Sequence, residues 1–189
     1  ARLAGHYSKM RGWIYNAAKA QPYPANPLFD PWRNAGASLP GASERWSPSD
    51  EELGGRISLL FEPSSDFTAK FKYSYAQVRS GGEDELYIPW CRPENGNMSG
   101  YGTLDPDSDC AFDNRYATSD LPAVLTKGSA LLSGKDGMPY SIDKGHIASL
   151  ALDYAINDNL ALTSVTAWWK VTHRGMGIFN QTSFAGVAS

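Results

Sequence analysis

Few side chains in this sequence stand at spacings that would ligate a metal, attack a bond or shuttle a proton. His6, His146 and His173 lie far apart, with no His-x-x-x-His pair and no glutamate at ligand spacing. No Gly-x-Ser-x-Gly elbow, GxGxxG or Walker-type loop occurs. The histidines are therefore read as lumen or interface residues, and the chain as a non-enzyme. One feature resembles a metal loop. Asp105-Pro106-Asp107-Ser108-Asp109 alternates carboxylates that could offer hard oxygen ligands to calcium. An EF-hand would continue with glycine where Cys110 stands and glutamate where Tyr116 stands, so a solvated acidic turn competes with the cation site, and no cofactor is expected. Glu83, Asp84 and Glu85 read as a solvated face.

Recognition chemistry is better supplied. Trp32, Trp46, Tyr87 and Trp90 fall in two long segments that read as loops. Flat rings with a polar edge suit gripping a small solute, and they equally suit packing long loops onto each other. Cys91 and Cys110 match no CxxC metal or redox motif. A disulfide is the expectation, implying an oxidising compartment and contributing ~3 kcal/mol by closing a loop of about 20 residues. Two separate buried thiols are the other state the sequence allows.

Composition narrows the class. The 189 residues suffice for one ordinary domain, and 42% are apolar, which excludes a wholly disordered chain. The net charge of −3 offers no basic stripe for nucleic acid. With 18 Gly and 12 Pro, long helices are not expected. No run approaches the ~18 to 20 apolar residues of a membrane helix. Ala1 to His6 carries no basic segment leading into an apolar one, so the chain is expected to begin after processing or inside something longer.

The elements that must position these residues are strands. Phe67 to Tyr75 alternates without exception, with Phe67, Ala69, Phe71, Tyr73 and Tyr75 on one face and Thr68, Lys70, Lys72 and Ser74 on the other. Ile57, Leu59 and Phe61 mark the preceding strand, joined through Pro63-Ser64-Ser65-Asp66, which is turn chemistry. His146 to Tyr154 and Leu160 to Lys170 form a second hairpin around Asn157-Asp158-Asn159. In its second strand Leu160 and Leu162 have one parity and Val165, Ala167 and Trp169 the other, which a bulge would reconcile. The opening run to Tyr15 alternates less cleanly, interrupted by Lys9 and Arg11.

Five antiparallel strands are thus expected near 1–16, 52–62, 66–79, 145–156 and 159–173. The long connections are about 17–52 and 80–144. Within the second, Leu121-Pro122-Ala123-Val124-Leu125 is a candidate helix start. Long connections fall at one end of the strands and short ones at the other, as in transmembrane barrels. Trp13, Tyr15, Tyr73, Tyr75, Trp168 and Trp169 lie at the long-loop ends, as an interfacial girdle would.

Gly54-Gly55-Arg56-Ile57-Ser58-Leu59-Leu60-Phe61-Glu62-Pro63-Ser64-Ser65-Asp66-Phe67-Thr68-Ala69 resembles the barrel of TonB-dependent outer-membrane receptors, where a Phe-Glu-Pro turn precedes an Asp-aromatic-Thr restart. Leu150 to Tyr154 and Leu160 to Trp168 are similar to a second hairpin of that family, and Arg2-Leu3-Ala4-Gly5 with Gly12-Trp13-Ile14-Tyr15-Asn16 to the strand before them. The resemblance implies an all-β segment, residues 1–189, of a large antiparallel transmembrane β-barrel. It would carry short periplasmic turns, two long extracellular loops and no plug domain in this chain. It implies further import of a scarce solute (siderophore, vitamin or saccharide) through the outer membrane of a Gram-negative bacterium. The partners would be the rest of the barrel and plug, the TonB energy-transducing complex and the lipid bilayer.

The same alternation suits a soluble extracytoplasmic β-sandwich that binds carbohydrate, and the two readings differ in what covers the apolar face. In a barrel wall Ile57, Leu59, Phe61, Phe67, Phe71, Tyr73, Leu150 and Leu152 face lipid, while Arg56, Lys70 and Lys72 face water, because a lysine at the bilayer midplane costs ~2–4 kcal/mol. In a sandwich a second layer of this chain buries those apolar residues.

Overall fold

The computed structural model describes residues 1–23, 30–82, 113–126 and 137–177. Its elements are β1 (Arg2–Met10), β2 (Ile14–Asn16), β3 (Gln21–Pro22), α1 (Asp30–Asn34), β4 (Ser38–Leu39), β5 (Trp46–Ser47), β6 (Ser49–Ser64), β7 (Phe67–Gly81), β8 (Arg115–Tyr116), α2 (Ala123–Thr126), β9 (Tyr140–Asn157) and β10 (Leu160–Met176). The chain is mostly β. It divides into two compact units, one of Ala1–Lys9, Glu51–Arg79 and Ile142–His173, the other of the described residues in Met10–Asp50, Ser80–Ser141 and after His173.

The five long strands form one antiparallel sheet in the order β1-β6-β7-β9-β10, which is also chain order. Strands β1 and β10 are its edges, and no closed barrel forms among the described residues. Strands β6, β7, β9 and β10 run to 16, 15, 18 and 17 residues, well beyond the ~5–6 usual in globular proteins. At ~3.3 Å per residue each reaches about 50 Å or more. Among the described residues no helix is long and apolar enough to cross a membrane.

Local chemistry sets both tight turns. Ser64 Oγ accepts the Asp66 N–H (3.4 Å) between β6 and β7, and Asn157 Oδ1 accepts the Asn159 N–H (3.0 Å) between β9 and β10.

Side-chain contacts across the strands report their faces. Tyr73 Oη meets His146 Nδ1 at 2.8 Å, and the Phe67 and Tyr154 rings lie 6.3 Å apart. Odd positions of β7 therefore share a face with even positions of β9, which include Leu150 and Leu152. Lys70 Nζ pairs with Asp153 (3.6 Å) on the opposite face. Lys72 shares the parity of Lys70. On β1 and β6, His6 meets Glu52 at 3.3 Å, so Ile57, Leu59 and Phe61 lie opposite the face that carries Glu52 and Arg56. Ile57, Leu59, Phe61, Phe71 and Leu150 are exposed, and Phe67, Tyr73 and Leu152 are half-buried. Among the described residues no second layer buries these side chains, as a sandwich would require.

Two expectations need correction. The first strand stops at Met10 rather than near residue 16, because Gly12 adopts φ +96° and breaks the extended backbone. A side chain there would also bring Cβ to 2.7 Å from the Pro48 carbonyl. Tyr15 accordingly belongs to a separate small sheet, and Trp13 to the connection before it, so neither lies on the first strand.

The second correction concerns the bulge in β10. Thr163 Oγ1 donates to Asp153 Oδ1 (2.9 Å), and His173 Nδ1 meets Asp143 Oδ1 (2.7 Å). Both strands advance equally between these pairs, so Val165, Ala167, Trp169 and Val171 stay on the carboxylate face with no bulge among them. Trp168 and Trp169 therefore point to opposite faces, both exposed.

Candidate functional site

The second unit carries a small sheet of order β5-β2-β8. Strand β2 pairs antiparallel with β5, placing Ile14 opposite Ser47 and Tyr15 opposite Trp46. It pairs parallel with β8, placing Tyr15 beside Arg115 and Asn16 beside Tyr116. Period-two alternation then sorts the side chains. Ile14, Asn16, Ser47 and Tyr116 are all buried, whereas Trp46 and Tyr15 are half-buried and Arg115 is exposed.

The outward set is a row. The Tyr15 and Trp46 rings meet edge to face, with centroids 5.3 Å apart and planes at 69°. The Arg115 guanidinium lies 5.1 Å from the Tyr15 ring centre, and that of Arg11, from the segment between β1 and β2, lies 5.5 Å from the Trp46 ring centre. Among the described residues no carboxylate lies within ion-pair distance of either guanidinium. Asp113, two residues from Arg115, spends Oδ1 on the Arg115 backbone N–H (3.1 Å).

Buried polar groups hold this sheet to the strands' connections. Asn16 Nδ2 donates to the Thr118 carbonyl (2.9 Å), while its Oδ1 accepts the Ala18 and Thr118 N–H groups at 3.1 and 3.2 Å. Arg45 reaches the carbonyls of Ala18 (2.9 Å) and Asn16 (3.4 Å). Ser119 Oγ accepts the Gly41 N–H (3.0 Å), and Asp120 Oδ2 accepts the Ser43 N–H (2.8 Å). Burial pushes the Asp120 carboxyl above the ordinary carboxylate range, against the lowering pull of the Ser43 hydrogen bond and the Arg45 charge. Burial likewise pushes the Tyr23 phenol up to about 12. Residues 12–18, 41–47 and 113–121 are thus tied together across more than a hundred positions of sequence.

Of the aromatic residues singled out from sequence, Trp46 stands in the row. Trp32 lies on α1, where only its backbone is described. Tyr87, Trp90, Cys91, Asp105, Asp107, Asp109 and Cys110 lie outside the described residues, as do Glu83, Asp84 and Glu85. Sequence reasoning missed Arg11, Tyr15 and Arg115 as members of a site. Arg11 stood out only as an interruption of an apolar parity, and Arg115 carried no local signal. Each histidine has a cross-strand neighbour: Glu52 for His6, Tyr73 for His146 and Asp143 for His173. No three acidic, histidine or cysteine side chains cluster to hold a metal among the described residues.

No family model matches this chain, and no curated protein or solved structure matches it. The cluster brings two aromatic rings and two guanidiniums together on this small sheet.

Proposed function

We propose that this chain is a wall segment of a TonB-dependent outer-membrane receptor that imports a scarce solute by energy-coupled transport. One observation carries the reading: strands of 15–18 residues leave Phe71 and Leu150 exposed on one face, while Lys70 and Asp153 pair on the other. Such strands exceed the ~30 Å of a hydrocarbon core even when tilted. A bilayer covers an apolar strand face that water would penalise, and the opposite face keeps its charges in a wet lumen. Edge strands β1 and β10 then pair with further strands of the same barrel, since no open edge survives in lipid. Energy arrives from the inner-membrane TonB complex through the plug. The segments around residues 17–52 and 80–144 face the exterior and grip the solute, a siderophore, vitamin or saccharide, with no bond made or broken.

The test is solubility and location. The expressed chain is expected to stay with the outer-membrane fraction after a carbonate wash and to need detergent to remain monodisperse. A monodisperse species in plain buffer would replace this reading with a soluble carbohydrate-binding β-domain.

A further inference from the structure

We infer that the cluster of Arg11, Trp46, Tyr15 and Arg115 binds an aromatic dicarboxylate, its carboxylates on the two guanidiniums and its ring against the aromatic side chains. The inference deepens the proposal that these segments grip a solute, and it is independent of membrane location. Stacking a guanidinium over an aromatic ring occupies its face and leaves its N–H edge open for a bidentate carboxylate. One guanidinium lies over each ring of the aromatic pair. Both arginines lack a carboxylate partner among the described residues, although the chain carries more acidic than basic residues. The buried inner face of the sheet, with Ile14, Asn16, Ser47 and Tyr116, holds the backbone under the row, so the site is formed before the ligand arrives. Trp46 and Tyr15 are half-buried, so both side chains keep surface that a ligand can reach. The neutral alternative, in which the row only staples β5, β2 and β8, makes a different forecast.

The experiment titrates naphthalene-2,6-dicarboxylate into the full chain in detergent by calorimetry, beside naphthalene-2,6-diol and sodium sulfate. The dicarboxylate is expected to bind, more weakly as salt rises, and to exceed both the diol and sulfate by about tenfold or more. Double substitution of Arg11→Gln and Arg115→Gln is expected to weaken it at least about tenfold with circular dichroism unchanged, and lysine at both positions to recover part of the loss. Equal affinity for diol and dicarboxylate overturns the inference, as does a folded glutamine variant that binds undiminished. If the glutamine variant does not fold, the diol, sulfate and salt comparisons on the unsubstituted chain decide it. A soluble chain that binds the dicarboxylate would sink the import reading and leave this one standing. A membrane-bound chain that ignores the dicarboxylate would do the reverse.

Discussion

Tyr15 and Trp46 sit directly opposite each other on antiparallel β2 and β5, with their rings meeting edge to face at 5.3 Å. Each ring carries a guanidinium, Arg115 on Tyr15 and Arg11 on Trp46. Four residues from three segments come together, Arg115 through the pairing of β2 with β8 and Trp46 through that of β2 with β5.

That pairing predicts a measurable coupling. In a double-mutant cycle, Tyr15→Leu and Trp46→Leu should show an interaction of about 0.5–1.5 kcal/mol in denaturant unfolding. Additive effects would mean that the rings touch without stabilising each other.

Asp120 predicts a pH dependence with a definite sign. Its folded pKa lies above the ordinary 3.8, so the folded chain holds the proton more tightly than the unfolded one. Its contribution is therefore fully present below the unfolded pKa and lost as pH rises through the raised folded value. Asp120→Asn keeps an oxygen for the Ser43 N–H and removes the ionisation. The variant should melt at or above the wild type at neutral pH and lose that part of the pH dependence, as thermal melts at several pH values would record. A steeper pH dependence in the variant would contradict the assignment.

Asn16 is buried with three hydrogen bonds to Ala18 and Thr118. Asn16→Ala strands two N–H donors and a carbonyl, and should cost about 2–3 kcal/mol by chemical unfolding. A loss under about 0.5 kcal/mol would show that water replaces the amide without penalty.

Gly137 and Gly36 form a matched pair, since both have positive φ, +85° and +74°. A Cβ on Gly137 would run into the Leu121 carbonyl, while one on Gly36 meets nothing within 4 Å. Gly36→Ala should cost about 1 kcal/mol from backbone strain alone, and Gly137→Ala clearly more. Equal melting temperatures for the two variants would refute the clash.

Much of the large sheet is legible in the residues. Phe67 to Tyr75 alternates on its own, Ser64 and Asn157 make their turns with neighbours two residues away, and Ala123 opens the short helix within the segment that composition marks. Strands β6 and β9 begin several residues earlier than their alternation suggests, at Ser49 and Tyr140, because ladder pairing with neighbours extends a strand past the end of its apolar pattern. Period and turn chemistry act over a few residues, so sequence carries them directly.

The row at Trp46 is of another kind. Tyr15, Trp46 and Arg115 are separated by about thirty and seventy positions, and no periodicity links them. They meet because Gly12 turns the chain out of β1 and because Asn16, Ser119 and Asp120 bond the intervening segments together. The same holds for β10, where Asp143 and Asp153 on the neighbouring strand set which of Trp168 and Trp169 shares their face. The residues by themselves determined that this chain would be long amphipathic strands joined by two tight turns, since alternation and turn propensity are local. Tertiary structure alone decided where the first strand ends, which face each residue of β10 takes and which aromatic ring meets which cation, because those outcomes depend on hydrogen bonds and register between segments far apart in the chain.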